Sequence, residues 1–513
     1  MTSYIIRRLL LMVPTLLGIT FMIFMLIALS PGGIGAALQA GQGAMEASSR
    51  AEREAYLEER YGLDDPAVVQ YLRWLGRISP IKFGQRDQIA PSGEIVRPPR
   101  LLKPPPLAGA WYATGGVPQP PAVGIAPEAS APAEARQAAF AEASRAYSEA
   151  RSAYAMTRIA LQEELRRYAT LAGLRGAAKP DGKLVESVFL RAGPDESTPE
   201  LGAAMREIRA LGDASIQAYG VALERRKRLI ELFDTQPFPQ DGVGLIPGMV
   251  SLALPDLGTS FSKSQPVKDL IRTRLPVTLM LNLLAVPIIY LIAIPSGMLA
   301  ATRQGTWIDT LSGALFVALW SIPVVWAGVL MIGFLASDRY LGWFPVAGLH
   351  SADADRFAFL PTFGPDGFHR GYVLDTLWHI CLPVACIVYG GFAILSKQTR
   401  AAMLENFNAD YVRTAKAKGV AGHDIVFRHV FRNSLLPLIT MFATVFPAMF
   451  SGSVVVERIF SIPGMGSLIL ESINLRDREL LLANITMIGV VNLLALLMAD
   501  ILYAMADPRI SYK

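Results

Sequence analysis

The chain has 513 residues, 52% of them hydrophobic and 18% charged, with a formal charge of +5 and a mean hydropathy of +0.36. It is too apolar for a wholly water-soluble protein and too charged for bilayer spans alone, so a helical membrane body with a sizeable aqueous portion is expected. The positive balance requires no nucleic acid, because cytoplasmic loops of membrane proteins favour Lys and Arg.

In chain order, Arg7 and Arg8 precede an apolar run at 9–29, long enough to cross ~30 Å of hydrocarbon as a helix. The run lacks a small-x-small cleavage site, so an uncleaved anchor with a cytoplasmic N-terminus is expected rather than a signal peptide. The polar stretch beyond it is proline-rich at Pro98, Pro99, Pro104, Pro105, Pro106, Pro118, Pro120 and Pro121, where an extended or irregular chain is expected. Phe140, Tyr147, Tyr154, Leu161 and Tyr168 then recur every seven residues. Leu201, Met205, Ile208, Gly212, Ser215, Tyr219, Ala222, Arg226, Leu229 and Phe233 step by fours and threes. These heptad-like stripes, at about 133–173 and 199–235, predict an antiparallel helical hairpin. Small and polar residues in the middle of the second stripe predict a weak seam.

Five further apolar runs follow, at 276–300, 310–336, 377–395, 436–456 and 482–504. Pro287, Pro295, Pro323 and Pro447 lie within them, which membrane helices tolerate when neighbours re-satisfy the backbone. Six crossings return the C-terminus to the side of the N-terminus. Arg7, Arg8, Arg303, Arg509, Lys513 and the seven cations of the 396–435 loop then lie in the cytoplasm, against Arg339, Arg356, Arg370, Arg458, Arg476 and Arg478 outside. That bias supports the orientation. Cys381 and Cys386, five apart in one run, point in different directions on a helix, so no disulfide is expected. The scattered His350, His369, His379, His423 and His429 lack metal-ligand spacing. Gly182-Lys183, followed by Leu184 and preceded five positions earlier by Ala177, is not a phosphate-binding loop, so no ATPase of the chain's own is expected.

The 396–435 loop is the densest cationic inter-helix loop of the membrane half, with Lys397, Arg400, Arg413, Lys416, Lys418, Arg428 and Arg432. It reads Tyr411-Val412-Arg413-Thr414-Ala415-Lys416-Ala417-Lys418-Gly419, then His429, Arg432-Asn433 and Leu435-Leu436-Pro437. This order resembles the coupling motif of inner-membrane permease subunits of dipeptide/oligopeptide ABC importers, Tyr-Val-x-Thr-Ala-x-Ala-Lys-Gly followed by His and Arg-Asn-x-Leu-Leu-Pro. Arg413-Thr414-Ala415 stands where the wider superfamily has Glu-Ala-Ala, a departure usual in the peptide branch. The stretches 57–66 and 70–76 resemble the family segment after the first span, which soon reaches an Asp-Leu-Gly-x-Ser turn. Here that turn is Asp256-Leu257-Gly258-Thr259-Ser260, so 79–253 reads as an insertion. Trp343 to Gly348 is similar to a family outer-loop pattern. Val456-Glu457, Phe460-Ser461, Gly464, Gly466 and the ending Asp507-Pro508-Arg509-Ile510 resemble the Yej-type branch associated with microcin C and oligopeptide uptake.

The resemblance implies an all-α integral membrane protein with the six transmembrane helices of the type I ABC importer permease fold and a large extracytoplasmic insertion containing the hairpin. The divisions would be 1–30, a transmembrane helix; 31–78, an extracytoplasmic family segment; 79–253, the periplasmic insertion; and 254–513, a five-helix core with its cytoplasmic coupling loop. It implies no cofactor, and as partners a second permease subunit, two ATP-binding subunits, an extracytoplasmic solute-binding protein and membrane lipid. Ala415, Ala417 and Gly419 would face the ATPase, and Arg413, Lys416 and Lys418 would complement its charge. Tyr411, Thr414, His429, Arg432 and Asn433 complete the motif, and Pro437 would end the loop where the fifth span starts. Glu457, Phe460, Gly464 and Gly466 would shape an outer gate beside the receptor. Peptides are the implied cargo, with nickel complexes, glutathione or oligosaccharides as alternatives on the same fold. An ion-coupled secondary transporter would need ionisable groups within its spans, for which Asp500 is the candidate. A non-transporting scaffold built around the hairpin leaves the loop motif unexplained.

Overall fold

The computed structural model describes residues 2–29, 58, 62, 65–108, 116–174, 195–246, 248–364 and 367–506. Gly182-Lys183, the motif at 507–510, Lys513 and most of the 57–64 stretch lie outside these residues. The chain forms two compact units, one made of 1–37 with 257–513 and the other of 38–256.

The first unit is a bundle of apolar helices: α1 (Thr2–Leu29), α5 (Val267–Thr302), α8 (Gly371–Phe407), α10 (Arg432–Ser451) and α13 (Arg478–Ala506). Among the described residues, five helices in it are long and apolar enough to cross a membrane, six if the bent pair α6 (Trp307–Ser321) and α7 (Val324–Met331, continued to Ala336) counts as one span. The third expected span is therefore not straight. It turns by 88° between α6 and α7, because Pro323 has no N–H to give and holds Ile322 in an extended conformation. The carbonyl of Ile322 accepts a hydrogen bond from the Tyr389 hydroxyl of α8 at 3.0 Å, which meets the requirement for a satisfied backbone at that break.

Helices α1 and α13 run antiparallel. Arg8 pairs with Asp500 at 2.9 Å, Leu16 lies against Gly489, and the Arg478 guanidinium sits 5.4 Å from the Phe24 ring centroid. Helices α5 and α8 run parallel along a seam of small residues. A Cβ on Gly297 would lie 2.6 Å from the Ser396 carbonyl oxygen, and one on Gly391 would meet Ile289. Ser296 and Ser396 hydroxyls approach to 2.9 Å beside them. Lipid tails are as apolar as Leu, so close backbone approach of this kind, rather than hydrophobic exclusion, holds membrane helices together. At the C-terminal end of α8, Arg400 makes a two-point pair with Asp309 of α6 at 2.6 and 2.9 Å. Asp309 also accepts from the Gly305 N–H and so fixes the turn between α5 and α6.

The second unit holds α2 (Ala67–Ile78), α3 (Ala133–Leu171) and α4 (Pro199–Asp234). Its small strands are β1 (Ile81–Phe83), β2 (Gln88–Ile89), β3 (Ile95–Val96), β4 (Val243–Ile246) and β5 (Val250–Leu252). Helices α3 and α4 are antiparallel. Leu161, Leu165 and Tyr168 pack on Leu201, Met205 and Ile208, while Phe140 and Tyr147 pack on Leu229, Leu232 and Phe233. Midway, Tyr154 and Tyr219 meet with ring centroids 5.3 Å apart. Both tyrosine hydroxyls donate outward, to the carbonyls of Lys103 and Leu102. The seam expected to be weak is thus thickened by two aromatic rings and covered by the extended, proline-rich chain.

Candidate functional site

The cationic loop folds as one short helix and a turn. Helix α9 (Asp410–Ala417) repeats every 3.6 residues, so Val412 and Ala415, three apart, share a face. Both are buried, in a cluster with Met298 and Ala301 of α5, Met403 of α8, and Ile425 and Val430. Arg413, Thr414, Lys416, Ala417 and Lys418 are exposed. Ala415 therefore does not face outward as expected; at 7% exposure it is part of the seat, not of the surface.

Gly419 closes the helix with φ +72°. Its N–H donates to the Lys416 carbonyl at 3.0 Å and that of Val420 to the Ala415 carbonyl at 3.2 Å, the paired bonds of a Schellman cap. Val420 joins the same apolar cluster as Ala415, which is the contact that goes with such a cap. A glycine is needed here for its left-handed backbone.

A polar network not expected from the motif pins α9 to the bundle. The Tyr411 hydroxyl donates to Asn406 Oδ1 at 2.7 Å, and Asn406 Nδ2 donates to Ser434 Oγ at 3.1 Å. Ser434 is itself buried and bonded back to main-chain carbonyls. One residue each from α8, α9 and α10 is thereby joined. His429 is half-buried, Arg432 and Asn433 are exposed, and Arg428 pairs with Asp424 at 3.2 Å on the surface. Pro437 does not end the loop. The chain is helical from Gly422 through a wide turn at Ile425–Phe431 into α10, with Pro437 inside it. What Pro437 does mark is the start of the apolar run.

At the other end of the bundle, the connection from α10 to α13 breaks at Gly452 and forms α11 (Val454–Ile459) and α12 (Met465–Asn474). Glu457 is buried there. Thr278 of α5 donates to its Oε1 at 3.0 Å and the Ser467 N–H to its Oε2 at 2.8 Å. Thr278 Oγ1 in turn accepts from the Met465 N–H at 2.7 Å. The carboxyl group thus lies at the N-terminus of α12, where free N–H groups and the helix dipole favour an acceptor. Three glycines leave it room: a Cβ on Gly452 or Gly464 would fall 2.3 or 2.4 Å from Glu457 atoms, and one on Gly466 2.7 Å from the Val454 nitrogen. Phe460 is buried with Leu281, Ala285 and Ile380. Glu457, Phe460, Gly464 and Gly466 are brought close together but lie inside. They form a packed node at the position where an outer gate was expected of them.

Nearby, Asp477 accepts from the Ser260 and Ser262 hydroxyls at 2.6 and 2.8 Å and caps α13 through the Leu480 N–H. Arg478 pairs with Glu479 at 2.9 Å in a buried setting, so it is a structural ion pair rather than an exposed topogenic charge. Asp500, the one candidate for ion coupling, is paired with Arg8 near the end of the bundle. The partners Thr278, Asn406, Ser434 and Asp477 carried no sequence signal, because each acts through a residue remote in the chain or on another helix.

A multi-pass helical bundle that presents a short cationic helix from an apolar seat has the architecture of a membrane transport subunit. The chain belongs to the family of binding-protein-dependent transport system inner membrane components, whose model matches residues 293–512. It is 38% identical over 259 residues to the oligopeptide transport system permease protein AppB of Bacillus subtilis, covering 50% of this chain and 76% of that one. To the inner membrane ABC transporter permease protein YejB of Escherichia coli O157:H7 it is 37% identical over 259 residues, 50% of this chain and 68% of the other. To the dipeptide transport system permease protein DppB of Alkalihalophilus pseudofirmus it is 32% identical over 278 residues, 52% and 80%. It is a permease subunit of an ABC importer, a multi-pass protein of the inner membrane.

Proposed function

We propose that this permease moves peptides or peptide-like solutes, and that a separate cytosolic ATPase drives it through α9. The observation that carries the reading is the division of α9 into a buried face, Val412 and Ala415, and an exposed face of Arg413, Thr414, Lys416, Ala417 and Lys418. A partner gripping the exposed face moves the seat with it, and the seat is built from α5, α8 and the start of the fifth span. Peptide cargo is supported by the oligopeptide and dipeptide names of AppB and DppB.

On this reading α9 and both termini are cytoplasmic, and residues 79–253 are a periplasmic insertion. The transporter combines this chain with a second permease subunit, two ATP-binding subunits and a periplasmic solute-binding protein. ATP-driven closure of the ATPase pair is felt as different contacts at α9 in two states of the bundle, which is what coupling between distant sites requires.

The test is Ala417→Trp, at an exposed helical position where the backbone is unstrained. ATPase co-purification and peptide uptake are expected to be lost while the protein still reaches the membrane. Retention of both would remove α9 as the docking element. An engineered cysteine at 417 should react with an impermeant reagent only after cells are opened, and labelling of intact cells would reverse the orientation.

A further inference from the structure

The sheet of the second unit is built inside out. In the order β1–β5–β4, Ile81 pairs with Leu252 and Phe83 with Val250, and Val243 and Ile246 of β4 pair with the same two residues. Directly paired residues share a face. One face is therefore Ile81, Phe83, Val243, Ile246, Val250 and Leu252, without a polar side chain. That face is the exposed one, with Phe83 at 80% and Val243 at 68%, whereas Ser251, on the opposite face, is 2% exposed. Leu245, Met249 and Leu254 add further exposed apolar surface beside it. The cations that could have ringed the patch turn away: Lys82 Nζ donates to the Gly76 and Arg77 carbonyls, and Arg86 to those of Asp241 and Gly242. From Gly242 to Pro255 the chain contains no charged residue.

We propose that this face seats on the lipid surface of the membrane. A protein partner would be met by a polar rim and hydrogen-bonding groups around an apolar centre. The paired residues of this face carry no polar side chain and the 242–255 run carries no charge, and a large apolar surface of that kind in water marks an interaction site or a membrane contact. Connectivity points the same way. Leu254 is thirteen residues from Val267, the first residue of α5, and the apolar run of α5 begins nine residues later, at 276, so the chain leaving the sheet leads directly into a membrane-crossing helix. Apolar side chains then enter the interface as those of a peripheral anchor do. The proposal rests on the membrane-spanning body and is independent of the role given to α9.

The test uses the full chain with Cys381→Ala and Cys386→Ala, in vesicles of phosphatidylethanolamine and phosphatidylglycerol. Single cysteines at 245 and 249 carry nitroxide labels, with position 291, on the exposed face of α5, as the lipid reference and position 209, on α4, as the aqueous one. Labels at 245 and 249 should collide with oxygen severalfold more often than with a water-soluble nickel complex, as at 291. Behaviour like that at 209 would overturn the proposal. So would shielding from both reagents, which would mean that protein covers the face.

Discussion

Gly419 separates two reasons for a glycine in the coupling loop. Its φ of +72° is left-handed, and a Cβ built there meets nothing within 4 Å. Substitution is therefore opposed by backbone conformation and not by crowding within this chain. For an L-residue the left-handed state costs about 1–2 kcal/mol, less for Asn, which visits it readily. At RT of about 0.6 kcal/mol, 1 kcal/mol is roughly a fivefold shift toward an unwound cap, releasing the bonds from Gly419 and Val420. If the cap is what matters, ATPase co-purification and stimulated hydrolysis should rank Gly, Asn, Ala, Val. Amide exchange at Val420 should quicken about fivefold or more in Ala and less in Asn. If smallness against a partner is what matters, Ala must outperform Asn. An Ala variant better coupled than Asn would refute the cap argument.

Glu457→Ala strands the Ser467 N–H, and Thr278 loses its acceptor, both in a buried place; at about 1–3 kcal/mol for each unpaired group, detergent-solubilised protein should unfold at a clearly lower temperature, with Glu457→Gln falling between. Tyr389→Phe removes the hydroxyl that serves the Ile322 carbonyl at the 88° break and should cost about 1 kcal/mol. That loss should be read as faster amide exchange at the start of α7 with the rest of the bundle unchanged.

The parts of this molecule that repeat or run long were legible from residues alone. The sevenfold stripe from Phe140 to Tyr168 lies buried along α3, and the apolar runs coincide with the helices of the bundle because a span needs only length and hydropathy. The direction of a short helix was less legible. Ala415 and Ala417 are equally small, and only the cluster beneath α9 sends one in and leaves the other out. Pairings across the chain were not legible at all. Thr278 and Glu457 are 179 positions apart, and nothing in either neighbourhood names the other. The break at Pro323 was not legible either, since a proline within an apolar run is compatible with one continuous span; its angle and its dependence on Tyr389 come from packing.

Helix α5 touches both ends of the bundle, with Met298 and Ala301 in the seat of α9 and Thr278 on Glu457. Those positions are about 30 Å apart at 1.5 Å per residue. Pro287 and Pro295 lie between them, each removing a helical hydrogen bond, so α5 is a poor strut on its own. Its stiffness has to come from α8, through the seam in which Gly297 lies against Ser396 and Thr399 and Gly391 lies against Ile289. Gly297→Leu would wedge this seam apart without touching α9 or Glu457. The expected outcome is uncoupling: the ATPase still binds and hydrolyses ATP in the reconstituted transporter, while cargo moved per ATP falls severalfold. If transport and hydrolysis decline in proportion, the seam is merely structural, and displacement of α9 reaches the far end of the bundle by another path.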